Sequence, residues 1–258
     1  MVKTFLFTKH KEAVLKKFLF FLYGIICYLI FFVTFLYAVG FVDNLAVPKS
    51  IDKGYQGGTA YGWLVNILLL SLFALQHSIM ARPEFKKWWT RIVPLAIERS
   101  TYVLFASGSL ILLFSFWRPL PDVVWDVQNT LLSAILIGFY FFGWFIVLFG
   151  TFLINHFNLF GLQQVYHHLN NREPGAPSFV TPLFYRVVRH PIMLGFIIAF
   201  WAAPSMTVGH LLFSVGTTAY ILIAIQLEER DMVGVYGATY KRYQREVSQI
   251  IPMPPKKR

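Results

Sequence analysis

The sequence predicts an all-α integral membrane protein of about six transmembrane helices, with a short C-terminal helical hairpin and an interfacial amphipathic helix. Three observations predict it. Of 258 residues, 57% are hydrophobic and 14% charged, too apolar a balance for one soluble core of that size. The apolar residues gather in runs close to the ~20 needed to cross about 30 Å of hydrocarbon. The Lys and Arg residues behind the net charge of +11 stand at the ends of those runs and in the tails, a pattern that sets topology and argues against nucleic acid as a partner.

Taken in order, residues 18–42, 61–80, 97–117 and 130–154 read as four spans, and 192–203 with 211–227 as a final pair. The first run lies behind Lys3, Lys9, Lys11, Lys16 and Lys17. It is too long for a signal-peptide core and lacks a clear cleavage site, so a retained anchor is expected. The Gly-rich segment 43–60 with Pro48 reads as a loop, and Trp117, Pro119, Pro121 and Trp125 as a second interfacial turn. Residues 232–247 carry Val233, Tyr236, Tyr240, Tyr243 and Val247 at helical spacing with Lys241, Arg242 and Arg245 between them, which predicts the amphipathic helix. Pro252, Pro254, Pro255 and Lys256-Lys257-Arg258 form a basic tail.

Basic residues also orient the chain. The N-terminal lysines, Arg82, Lys86, Lys87, Arg91, Arg99, Arg172, Arg186, Arg189 and the C-terminal set fall on one side, against Lys49, Lys53 and Arg118 on the other. The heavy side is expected to be cytoplasmic, with both termini inside and the cell membrane as the location. Residues 192–203 would cover only about 18 Å as a helix. If the chain turns through 204–209, His190 and Glu228 return to about the same depth, so two ionisable clusters face one another across an apolar hairpin.

No phosphate-binding Gly-rich loop, HExxH, GxSxG or CxxC pattern occurs, and the lone Cys27 lies mid-span as a core- or lipid-facing residue. His77, His156, His167, His168, His190 and His210 do not have the spacing of a haem or metal set, and no metal is expected. An interhelical hydrogen bond is the expected role of His77. Glu228-Glu229 at the end of the last span contradicts both the helix dipole and the preference of an inner membrane edge for cations. Something positive should neutralise the pair, either Arg189 and Arg230 or a cationic ligand.

Arg189-His190-Pro191, Gly195, Trp201, Glu228-Glu229 and Tyr236-Gly237-x-x-Tyr240-x-x-Tyr243 together resemble the C-terminal signature of the isoprenylcysteine carboxyl methyltransferase and phospholipid methyltransferase superfamily. Three further stretches resemble its nurim-like group, whose characterised bacterial enzymes methylate methanethiol to dimethyl sulfide: Phe73–Ser78 with Arg82-Pro83, Glu98-Arg99-Ser100-x-Tyr102, and the segment from His156 to Val165. The resemblance implies a single membrane domain over 1–258, with 1–154 as a four-helix scaffold and 155–258 as a region binding S-adenosylmethionine. It implies cofactor contacts from Arg189, His190, Pro191, Gly195, Glu228, Glu229, Tyr236 and Tyr240, and catalytic roles for His156, Arg189 and Glu229. His156 or a glutamate would take the thiol proton, and Arg189 or Arg99 would lower the thiol's pKa. A small thiol arriving from the bilayer is the expected acceptor. The alternatives are a prenylcysteine or lipid acceptor, and a non-enzymatic membrane protein in which Glu228 and Glu229 pair with Arg189 and Arg230 and leave no cavity.

Overall fold

The computed structural model describes residues 2–55, 57–173 and 179–253. The end of the basic tail, Pro254 to Arg258, lies outside the described residues, as do the side chains of Lys3, Lys9 and Lys11. Among the described residues ten α-helices run in the order α1 (Val2–Val42), α2 (Thr59–Ala81), α3 (Pro83–Trp89), α4 (Leu95–Phe116), α5 (Thr130–Ile154), α6 (His156–Leu159), α7 (Leu162–Leu169), α8 (Pro191–Trp201), α9 (Val208–Tyr236) and α10 (Ala238–Glu246). Helices α1, α2, α4, α5 and α9 are long and apolar enough to cross a membrane, so the protein is a multi-pass helical membrane protein. Helix α8, with 11 residues, is apolar but about 16 Å long, short of a crossing.

Three features differ from the sequence reading. Helix α9 does not stop at Leu227 but continues to Tyr236, so Glu228 and Glu229 lie inside the helix, about two turns before its end. The amphipathic stretch 232–247 is broken at Gly237, whose φ of 55° a side-chain-bearing residue rarely adopts. Its amphipathic part is α10 alone. Two of the connections are also not plain turns: β1 (Val123–Asp126) pairs antiparallel with β2 (Ser205–Thr207), joining the α4–α5 and α8–α9 connections.

The described chain divides into two compact units. The first takes the chain up to Leu36, Leu75–Leu112 and the segment from Asn155 through α7. Its centre is Met80, Tyr102 and Val103, packed against Phe31, Phe85, Trp89 and Phe160, with the Phe31 and Phe160 rings stacked at 3.8 Å. The Glu98-Arg99-Ser100 motif is used here. Arg99 Nε donates to the Leu159 carbonyl at the end of α6, and Ser100 Oγ to that of Gly161. Gly161 has φ +89°, and a Cβ there would come within 2.7 Å of the Ser100 nitrogen, so the α6–α7 turn can seat on α4 only through a glycine.

The second unit comprises Tyr37–Ala74, Leu113–Ile154 and the chain from Phe179. Helices α5 and α8 meet backbone to backbone at Gly143 and Gly195, where an added Cβ would lie 2.6 Å from the Gly195 oxygen or 2.7 Å from the Gly143 oxygen. Small residues at such a crossing are what allow helices to approach closely in a bilayer. Ile221, Ile225 and Ile250 form the apolar centre beside the α8–α9 hairpin, packed on Met193, Leu194, Phe196 and Ile197.

Candidate active site: an ionic clasp on the last long helix

Within the second unit, α8 begins where His190 leaves helical geometry and Pro191 occupies the first turn, a position where a missing N–H costs nothing. The segment before it is held by the chain's end: Arg189 N donates to the Ser248 carbonyl and His190 N to that of Gln249. This fixes the two side chains toward α9, where Glu229 is 6% exposed. Glu229 Oε1 accepts from Arg189 Nε at 2.7 Å and from His190 Nε2 at 3.0 Å. Its Oε2 accepts from Arg189 NH2 at 3.1 Å and from Gln244 Nε2 at 2.8 Å. Four donors on a buried carboxylate make this a charge held by design of the surrounding chain, since a buried ion is tolerated only when paired and hydrogen-bonded.

Arg189 also reaches past Glu229. Its NH1 donates to the backbone carbonyls of Gln244 and Val247, which α10 leaves without helical partners at its C-terminal end. One guanidinium therefore binds α9, α10 and the start of α8 together. Gly237 makes this possible by turning the chain directly from α9 into α10.

Glu228 is different. Its side chain is 41% exposed, and it approaches His190 Nδ1 at 3.7 Å, too far for a hydrogen bond. Arg230, the other neutralising residue considered, is exposed, and among the described residues it forms no ion pair with Glu228. The pairing expected of a purely structural bracket is thus present at Glu229 and absent at Glu228.

Beside the clasp lies a cluster of aromatic rings. Phe179 stands 5.2 Å from Tyr236, 5.7 Å from Tyr240 and 5.3 Å from Tyr243, centroid to centroid. The Tyr243 hydroxyl donates to the Tyr185 carbonyl. Burial pushes the hydroxyls of Tyr185 and Tyr240 well above the usual tyrosine range, and the negative charge of Glu228 adds to the effect at both. Burial likewise pushes Tyr243 up to about 12. All of these phenols are neutral donors at physiological pH.

Of the predicted site residues, Arg189, His190, Glu228, Glu229, Tyr236 and Tyr240 meet in this one region, with Pro191 opening α8. Gly195 is taken up by the α5 crossing. His156 belongs to the first unit, where it is 3% exposed, opens α6 and places Nε2 2.9 Å from the Tyr28 hydroxyl. Burial lowers its pKa, so it is a neutral imidazole at pH 7. Also in the first unit, the Tyr102 hydroxyl lies 2.9 Å from His77 Nε2, an interhelical hydrogen bond from α4 to α2. In the second, His210 Nε2 lies 3.0 Å from the Phe200 carbonyl, which Ser214 also satisfies. Among the described residues no cluster of His, Cys, Asp or Glu is arranged to hold a metal. Gln244 and Phe179 were not marked by the sequence. A glutamine among charges on a short helix and a phenylalanine after a Pro-rich loop carry no distinguishing pattern.

A multi-pass α-helical membrane protein with a buried Arg-His-Glu clasp, a partly exposed second carboxylate and an aromatic cluster beside the clasp is the class that fold and site define. The chain belongs to the NnrU protein family, whose model matches residues 65–249. It is 58% identical to methanethiol S-methyltransferase 1 of Bradyrhizobium diazoefficiens, over 92% of this chain and 83% of that protein. It is 50% identical to the methanethiol S-methyltransferase of Mycobacterium tuberculosis, over 93% and 98% of the two chains. More distantly it resembles nurim of Sus scrofa, at 29% identity over 74% of this chain and 70% of that one. No solved structure matches. The methyltransferase relatives imply a methyl donor.

Proposed function

We propose that this protein is a methanethiol S-methyltransferase of the cell membrane, with both termini cytoplasmic and S-adenosylmethionine as the donor. The observation that carries the reading is the 47–58% identity to proteins of that name over 82–93% of the chain. The residues present suit the donor: Glu228 offers a partly exposed carboxylate whose charge is felt at the Tyr185 and Tyr240 hydroxyls, and a sulfonium cation is the kind of group such a carboxylate attracts.

In the proposed reaction the donor supplies an electrophilic methyl: the acceptor sulfur bonds to its carbon while the carbon–sulfonium bond breaks, the electron pair stays on the departing sulfur, and the thiol proton passes to a base. The chain's residues divide the remaining work. Glu228 attracts the donor's positive charge, and Tyr236 and Tyr240 close over it. Arg189, His190 and Glu229 form the rigid frame that sets the height and rotation of Glu228, because in a methyl transfer most of the acceleration comes from alignment. Glu229 has four donors and Arg189 is committed to Glu229 and to α10. We therefore assign both to positioning. A small apolar thiol reaches the enzyme through the bilayer, while the charged donor comes from the cytoplasm.

Headspace gas chromatography of cells fed methanethiol tests the reading. Cells expressing the chain should release dimethyl sulfide, and cells expressing Glu228→Gln at the same level should release at least tenfold less. No dimethyl sulfide from folded wild-type protein rejects methanethiol as acceptor.

A further inference from the structure

On the side of the chain poor in basic residues stand Lys49, Lys53 and Arg118. All three belong to the second unit, at the end of α9 opposite the clasp, where Gly209 N donates to the Leu120 carbonyl and Thr207 to Asp52. Asn66, fully buried in α2, clamps the Arg118 backbone from both sides: its Nδ2 donates to the Arg118 carbonyl at 2.7 Å, and Arg118 N donates to its Oδ1 at 2.9 Å. The preceding Trp117 is also fully buried, with Nε1 donating to the Ile51 carbonyl. A side chain anchored this way carries its guanidinium over the rings of Tyr55 and Tyr61, 4.8 and 5.6 Å from their centroids. Interior packing does not account for the arrangement, since those two tyrosines are 71% and 50% exposed.

A guanidinium has five N–H groups to satisfy. Among the described residues Arg118 makes one side-chain donation, from NH1 to the Tyr55 carbonyl at the limiting distance of 3.5 Å, and its buried Nε has no acceptor. Lys49 is near enough that burial first and the Arg118 charge second pull its ammonium below the usual range, while its Nζ donates to the Ser115 carbonyl in the last turn of α4. No carboxylate separates the two cations: Asp52 accepts from Asn44 and Thr207, and among the described residues Asp122 forms no ion pair with either. Two cations so placed repel, and an anion shared between them removes the repulsion. A fixed guanidinium offers a phosphate parallel N–H donors, and a lysine adds a point charge. The surroundings specify the source of that phosphate. Tyr61 heads an exposed stripe of α2 that continues through Leu64, Leu68 and Leu72, about three turns of a helix apolar enough to lie against hydrocarbon. Tyrosine rings at the head of such a stripe mark the headgroup level. A headgroup of net negative charge is favoured there over a zwitterionic one, whose own cation the two basic residues repel.

We propose that Arg118 and Lys49, framed by Tyr55 and Tyr61, bind the headgroup phosphate of an anionic phospholipid whose acyl chains run along the stripe from Tyr61 to Leu72. The bound lipid ties the loop carrying Lys49 and Tyr55 to the adjoining ends of α2 and α4. The site is separate from the donor clasp and independent of the acceptor.

Hydrogen exchange read by mass spectrometry on the full-length protein in nanodiscs tests the assignment. Replacing about a third of the phosphatidylcholine by phosphatidylglycerol should slow exchange across residues 44–55 of the wild type about threefold. Arg118→Gln should abolish that protection and Lys49→Gln should reduce it, while the basic helix α10 keeps its wild-type response to the lipid in both. Wild-type exchange rates in α9 show that a variant is folded, and Lys49→Gln, at a loop position, provides the test if Arg118→Gln does not fold. Equal exchange of the wild-type loop in the two lipids, or protection that persists undiminished in the variants, overturns the site. Equal protection by inorganic phosphate in pure phosphatidylcholine identifies a free anion as the ligand and overturns the lipid assignment.

Discussion

The two ends of α9 both carry polar groups and use them differently. At the N-terminal end every polar group completes the fold. Thr207 caps the helix by accepting from His210 N and donates to Asp52, while His210 and Ser214 satisfy the Phe200 carbonyl that the end of α8 leaves open. At the other end one carboxylate, Glu229, is saturated with donors and the adjacent one, Glu228, is left partly exposed with His190 Nδ1 3.7 Å away. Complete satisfaction identifies architecture. A partly exposed carboxylate beside a saturated one identifies where a ligand can enter.

Substitutions at the two ends should separate these uses. The largest loss is expected from Arg189→Leu, which strands the Glu229 charge in a buried position and uncaps α10. About 3–5 kcal/mol of stability should disappear, read as a steep fall in thermal midpoint or as loss of folded protein on size-exclusion chromatography. At the opposite end, the double change His210→Ala with Ser214→Ala leaves the Phe200 carbonyl without either donor. It should cost about 1–3 kcal/mol while donor affinity stays at the wild-type value. A drop in donor affinity there would erase the distinction between the ends.

A smaller effect concerns pH. Burial, reinforced by the charge of Asp52, pushes the Asp43 carboxyl up to about 6. A carboxyl that holds its proton more tightly in the folded than in the unfolded chain contributes stability below its unfolded pKa, and that contribution is lost as pH rises through its folded pKa. Stability should therefore decline between about pH 4 and about pH 6, by about 1 kcal/mol once solvent screening is allowed for. Asp43→Asn should flatten that slope in thermal melts across the range. Smallest in stability is Glu228→Gln, expected within about 0.5 kcal/mol of wild type because the group is partly exposed and its approach to His190 is too long for a hydrogen bond. Its effect belongs to donor binding alone, the reverse of the His210 and Ser214 pair.

The long helices were legible because twenty apolar residues in a row have few alternatives; the span at residues 130–154 agrees with α5 at both ends. The short α8 and its pairing with the following helix were legible for the same reason. Where α9 ends was not. Glu228, Glu229, Arg230 and Asp231 read as a membrane boundary, yet a helix continues through charged residues when tertiary partners neutralise them, and Glu229 has those partners on α10 and before α8. Residues 189, 190, 228 and 229 could be brought together from hairpin geometry and motif. The assignment of Arg189 to Glu229 rather than to both carboxylates could not, because it depends on where Gly237 redirects the chain. The β1–β2 pair joins segments about eighty residues apart, each too short to register as a strand. Helices α3, α6 and α7 are similarly brief, and the last two are stabilised by contacts such as Arg99 to Leu159 rather than by their own periodicity.

The eleven residues of α8 also bear on how the protein is made. A segment that short gains too little from lipid to be retained by a translocation channel as an independent unit. Its place depends on the glycine-to-glycine seat on α5 and on the strand that ties its far end to β1. Both partners precede α8 in the chain, so they have emerged from the ribosome before it does. Helix α9 follows and closes the hairpin. The region proposed to bind the donor is therefore the last part of the protein to be assembled, and a chain released before α9 is complete would possess its membrane anchors and lack its chemistry.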